Sequence, residues 1–118
     1  MASDERRNFR RYAVNWRARV LLPDRQLYEV TINNASKGGV AIDFDRVLAL
    51  GTILKIEFYI KYRGKMKRIR AKVKVSASTV LSDNRGAKLG LQFVEVSTDN
   101  LHSLANVLHI LGDENEDV

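Results

Sequence analysis

Two short clusters carry the side chains best able to do chemistry. The first is Glu5-Arg6-Arg7-Asn8-Phe9-Arg10-Arg11, four arginines within six residues. A guanidinium makes paired hydrogen bonds to phosphate or to guanine O6 and N7, and it stacks on a base face, which lysine does far less well. The second is Asn34-Ala35-Ser36-Lys37-Gly38-Gly39, where an amide and a hydroxyl precede two glycines that let the backbone approach a ligand closely. Taken singly, the arginines read as a basic arm at a chain end and the loop as a polar turn. It is their combination that points to a ligand both anionic and planar.

Other chemistries find little support. There is no cysteine, which removes disulfides, thiolate nucleophiles and cysteine-based metal sites, and agrees with a reducing compartment. His102 and His109 stand two helical turns apart, too far to bind one metal together. Serines occur without a histidine outside the same segment to activate them. No paired-carboxylate motif and no Walker-type phosphate loop appears. Catalysis and a metal cofactor are therefore not expected.

The elements that must position the two clusters are strands. The chain is 118 residues with 45% hydrophobic residues, enough for one self-sufficient domain. Apolar and polar residues alternate from Tyr12 to Val96, in runs over Tyr12–Leu22, Gln26–Asn33, Gly39–Phe44, Thr52–Tyr62, Met66–Ser78 and Ala87–Val96. Turn signals separate them at Pro23-Asp24, the loop Asn33–Gly38, Arg63-Gly64-Lys65 and Ser82–Gly86. With a single helical segment to serve as a crossover, the six strands should be antiparallel and close into a small barrel. Leu101, Leu104, Ala105, Leu108 and Leu111 then recur at helical spacing, with Ser97 or Thr98 as N-cap and Gly112 as the residue beyond the helix. The expected organisation is an arginine arm at 1–11, mobile without ligand, a barrel at 12–96, an amphipathic helix at 98–112 and an acidic tail at 113–118.

Charge is unevenly placed. The net charge is +6, yet residues 55–74 carry nine basic side chains against one acidic, and residues 95–118 carry six acidic and no lysine or arginine. The basic run attracts an anionic partner, or is simply a solvated strand face whose lysines block aggregation. No run approaches 18 apolar residues and the first residues lack a signal-peptide core, so the expectation is a soluble cytoplasmic protein.

The pair Arg7-x-x-x-Arg11, followed two strands later by Asn34-x-Ser36-x-x-Gly39, resembles the bipartite signature of PilZ domains. Glu5-Arg6-Arg7 opens it in the usual way, and Gly90-Leu91-Gln92-Phe93 looks like the family's closing strand. The resemblance implies a six-stranded antiparallel β-barrel with a C-terminal helix that binds the bacterial second messenger cyclic di-GMP and relays its presence to a downstream protein. It implies that Arg7 and Arg11 grip phosphate and guanine, that Asn34 hydrogen-bonds guanine, that Ser36 lies near phosphate or base, and that Gly39 holds the loop against the ligand. Asn34 stands where many members carry aspartate; its carbonyl still accepts from guanine, without the charge. Arg6 before the pair implies an intercalated dimer of the ligand. Two rival readings remain at this level: a barrel binding single-stranded nucleic acid through residues 55–74 with Tyr59 and Tyr62, and a PilZ domain that binds no nucleotide and serves as a protein-interaction module.

Overall fold

The computed structural model describes residues 9–82 and 85–116. Six strands, β1 (Tyr12–Leu21), β2 (Leu27–Ser36), β3 (Gly39–Phe44), β4 (Ile53–Tyr62), β5 (Lys65–Val80) and β6 (Ala87–Val96), precede one helix, α1 (Thr98–Glu116). All neighbours are antiparallel, and the order β1-β2-β3-β6-β5-β4 closes on itself, which removes the sheet edges. The expected fold class is thus found.

The turns follow from their residues. Between β1 and β2, the Arg25 amide donates to the Leu22 carbonyl across Pro23-Asp24, Arg25 takes φ 70°, and Asp24 Oδ1 accepts from the Gln26 amide. This is a type I turn closed by a left-handed residue, with proline where its fixed φ is wanted. Between β4 and β5, Arg63 and Gly64 have φ 54° and 78°, the two-residue hairpin geometry that favours glycine.

Inward-facing residues fill the barrel. Leu54, Ile56, Phe58 and Ile60 of β4 face Ile69, Val73 and Val75 of β5, all buried, and Trp16 stacks on Phe58 with centroids 5.8 Å apart. Helix α1 starts at a Ser97 cap whose Oγ accepts from the Asn100 amide at 3.1 Å. It lies across the barrel mouth and buries Leu104 and Leu108. Lys67 Nζ ties its first turn down, reaching Asp99 Oδ2 at 2.6 Å and Ser103 Oγ at 2.7 Å.

Three boundaries differ from expectation by more than one residue. The helix does not stop at Gly112 but runs on to Glu116. Gly112 is buried inside it, where a Cβ would come within 2.9 Å of the Tyr12 ring. The glycine therefore permits close helix-to-strand packing and is not a helix terminator. Strand β5 continues past Ser78 to Val80. The segment expected as a loop from Asn33 is strand up to Ser36, and only Lys37-Gly38 turn. Polar residues belong there because that stretch of β2 faces outward, toward the cleft described next.

Candidate ligand-binding cleft

A cleft of about 270 Å³ opens on the outside of the barrel across β2, β3, β6 and β5. Two single-residue bulges create its lining. Ile32 pairs with Ile42 but Asn34 pairs with Ala41, so Asn33 is the extra residue in β2. Strict alternation from the buried Ile32 would have sent Asn34 and Ser36 into the core. The bulge resets the phase, Ala35 is buried instead, and Asn34 and Ser36 reach the cleft. In β5, Val75 pairs with Leu91 and Ala77 with Gly90, leaving Ser76 extra. That bulge turns Ala77 and Thr79 outward into the same cleft.

Four of the six residues expected to bind ligand, Arg11, Asn34, Ser36 and Gly39, line this one cleft. Arg6 and Arg7 lie outside the described residues, as does most of the expected arginine arm, so its expected mobility is not described either. Arg10 stacks its guanidinium 5.2 Å from the Tyr12 ring centre. Sequence reasoning missed Ser76, Thr79, Lys88 and Gln92, which complete the wall from β5 and β6. One sign was available: the small, hydroxyl-rich Ser76-Ala77-Ser78-Thr79 interrupts a strand otherwise alternating between aliphatic and basic residues.

The side chains divide into those that shape the site and those left to meet a ligand. Ser36 is nearly buried, and its Oγ accepts from the Gly38 amide at 3.0 Å and donates to the Gly39 carbonyl at 3.4 Å. It therefore sets the turn. Gly39 is demanded by the sheet, because a Cβ would lie 2.0 Å from the Leu91 carbonyl oxygen. Its backbone has no left-handed φ, so close approach alone explains the residue. Gly38 lies under the Phe9 ring, 2.8 Å from where its Cβ would be. The side-chain amides of Asn34 and Gln92 and the Arg11 guanidinium make no hydrogen bond or ion pair among the described residues. Arg11 and Lys88 bring positive charge, and among the described residues no carboxylate lines the cleft. Cations of this kind are suited to phosphate, and side-chain amides to a base edge.

Elsewhere the described residues hold no group of three or more histidine, cysteine or acidic side chains placed to bind a metal. None of their helices is long and apolar enough to cross a membrane. Tyr62, expected as an exposed aromatic, is partly covered by α1: Asn106 Nδ2 donates to its hydroxyl at 3.5 Å, and Lys67 and Arg63 sit over its ring at 5.7 and 5.2 Å. Tyr59 is exposed as expected.

Solved structures share this architecture at low sequence identity. MotI/DgrA of Bacillus subtilis, an inhibitor of motility, aligns with TM-score 0.75 and 14% identity over 92% of this chain and 51% of its own. The PilZ domain of Escherichia coli YcgR, solved with c-di-GMP, aligns with TM-score 0.66 and 15% identity over 95% of this chain and 96% of that domain. The longer YcgR chain in complex with c-di-GMP gives TM-score 0.67 and 16% identity, over 95% of this chain and 48% of its own. The present chain thus spans about half the length of MotI/DgrA and of that longer YcgR chain. No curated protein matches in sequence. The sequence model of the PilZ domain matches residues 5–109, from the arginine cluster through all six strands and into α1, and with the closed barrel it places this chain in the PilZ domain family.

Proposed function

We propose that this chain is a non-catalytic receptor for cyclic di-GMP, which closes its arginine segment over the ligand and thereby presents a changed surface to a downstream protein. One observation carries the reading. Arg11, the Asn34–Gly39 stretch, and Lys88 with Gln92, distant from one another in sequence, meet on an outer wall that two bulges have re-aimed and on which no carboxylate stands among the described residues. Membership in the PilZ family and the c-di-GMP held by the YcgR domain support the choice of ligand.

The ligand has two phosphates and two guanines. Arg11, with Arg7, grips phosphate and the guanine edge and face, and Lys88 adds positive potential. The Asn34 carbonyl accepts from guanine N1 or N2, while Ser36 and Gly39 hold the β2–β3 turn in the shape that lets the ligand lie flat. Arg6 supplies a further guanidinium for a second, intercalated ligand molecule, giving two per chain. Phe9, seated on Gly38 at the cleft rim, is the point from which the arginine segment folds over.

Hydrogen exchange with and without cyclic di-GMP tests the mechanism. Amides of residues 5–12 and of Asn34 to Val40 should gain protection on binding. Equal protection of 5–12 in both states refutes closure of the segment, and no change in either stretch refutes the site.

A further inference from the structure

A second concavity, of about 690 Å³, crosses the outside of β1, β4, β5 and β6 and shares no residue with the nucleotide cleft. The two sit toward opposite ends of the β5–β6 ribbon: the cleft uses Ser76 to Thr79 with Lys88 to Gln92, the trough Arg70 to Lys72 with Glu95 to Ser97. Arg19, Lys55, Arg70 and Lys72 stand in its walls against Glu57 and Glu95, a surplus of two positive charges. Arg68 joins them through Glu57, the single acidic side chain of residues 55–74. Leu21, Leu27 and Val96 add aliphatic surface, and Leu27, opposite Leu21 across the β1–β2 pair, is 57% exposed.

Glu57 organises the basic wall. Its carboxylate accepts from Arg19 Nη2 at 2.8 Å and pairs with Arg70 Nε at 3.3 Å and Arg68 Nη1 at 4.0 Å. The Arg19 hydrogen bond, with the charges of Arg19, Arg68 and Arg70, holds the Glu57 carboxyl below its usual range, so it stays ionised. Guanidiniums held at one end have less rotamer freedom to lose when a partner carboxylate arrives at the other.

We infer that this trough docks an acidic amphipathic segment of a protein partner, a helix or extended stretch whose carboxylates meet Arg19, Lys55, Arg70 and Lys72 and whose aliphatic side chains cover Leu21, Leu27 and Val96. Charge complementarity selects the sign of the occupant, and the aliphatic lining selects its kind. Single-stranded nucleic acid needs stacking platforms. Here Tyr62 lies under α1 and Tyr59 stands outside the trough, so no aromatic ring lines it among the described residues. A bilayer surface is flat and would leave a concave trough unfilled. The inference deepens the partner half of the proposed function and rests on it only in taking the chain to signal to another protein.

The test uses a defined probe, a fluorescent helical peptide of about 15 residues, roughly 22 Å long, with leucine at i, i+3, i+4 and i+7 positions and glutamate elsewhere. Anisotropy should show saturable binding, with amide shifts confined to residues 19–27, 55–57, 70–72 and 95–97. Arg70→Glu with Lys72→Glu, at positions 68% and 41% exposed, should weaken it at least about tenfold, and Leu27→Gln by several-fold, without change in the circular dichroism spectrum. No peptide binding, an undiminished affinity in the charge-reversed variant, or equal affinity for poly-glutamate, oligothymidylate or phosphatidylglycerol vesicles overturns the inference. Cyclic di-GMP titrated into the same proteins separates the two claims: its failure to bind the wild type refutes the nucleotide site and leaves the peptide result standing, and the charge-reversed variant should bind it as the wild type does.

Discussion

Gly39 offers the sharpest separation of what the fold demands from what the ligand demands. In Gly39→Ala the new Cβ would lie 2.0 Å from the Leu91 carbonyl oxygen and 3.0 Å from the Gln92 Cα, both backbone atoms of β6. Relief needs β3 and β6 to part by roughly an ångström, since neither atom can swing aside. Forced overpacking costs about 1–3 kcal/mol, and straining the neighbouring Phe93 amide to Gly38 carbonyl bond, 2.9 Å long, adds about 1 kcal/mol. The lower entropy of the unfolded alanine chain offsets about 0.4–1 kcal/mol, which leaves a loss of about 1–3.5 kcal/mol. For a domain of this size the melting temperature should fall on the order of 10 °C. Gly38→Ala is the control, because its Cβ meets the Phe9 ring, a side chain at the cleft rim that can move, and the loss should stay under about 1 kcal/mol. Thermal melts of both variants by circular dichroism, without ligand, decide the matter. A Gly39→Ala protein that melts within about 2 °C of the wild type refutes the argument that β6 requires this glycine.

Other outcomes follow from single contacts. Ser78 Oγ is buried without a hydrogen-bond partner among the described residues, so Ser78→Ala should raise stability by about 1 kcal/mol in chemical denaturation; a loss of that size would contradict it. Gly112→Leu should destabilise by about 1–3 kcal/mol because it meets Tyr12, and in a Tyr12→Ala background the same change should become neutral or favourable through helix propensity, as a double-mutant cycle would show. The Glu57 carboxyl is lowered in the folded state, first by its Arg19 hydrogen bond. Its contribution is therefore present above the unfolded pKa of about 4.3 and lost as pH falls through the lower folded value. Glu57→Gln should thus be less stable than the wild type at pH 7, with the gap closing below about pH 4; a gap independent of pH would refute the ion-pair account.

The barrel was largely legible because its strands obey simple alternation. The alternating run Thr52–Tyr62 was expected as a strand, and its Leu54, Ile56, Phe58 and Ile60 are buried as a row. The helix was equally readable, since Leu104 and Leu108 fall at its buried positions. What escaped was the consequence of extra residues. Asn33 and Ser76 each shift the phase of a strand by one, and where a bulge falls depends on the register of the partner strand, so that only the broken alternation at Ser76–Thr79 gave a local sign of either. The cleft residues on β5 and β6 therefore stayed hidden, although the two signature clusters named its β2–β3 side and Arg11. Gly112 misled for another reason: a glycine near a helix end usually terminates it, but here the Tyr12 ring occupies the space a side chain would need.

Isothermal titration calorimetry of cyclic di-GMP into the wild type and into Arg11→Ala with Asn34→Ala, with GTP as control, addresses the central claim most directly. Saturable binding of two ligand molecules per wild-type chain, weakened at least about tenfold in the variant and absent for GTP, is the expected result. No heat of binding with the wild type, or an affinity unchanged by the loss of both side chains, would contradict the cleft as a cyclic di-GMP site.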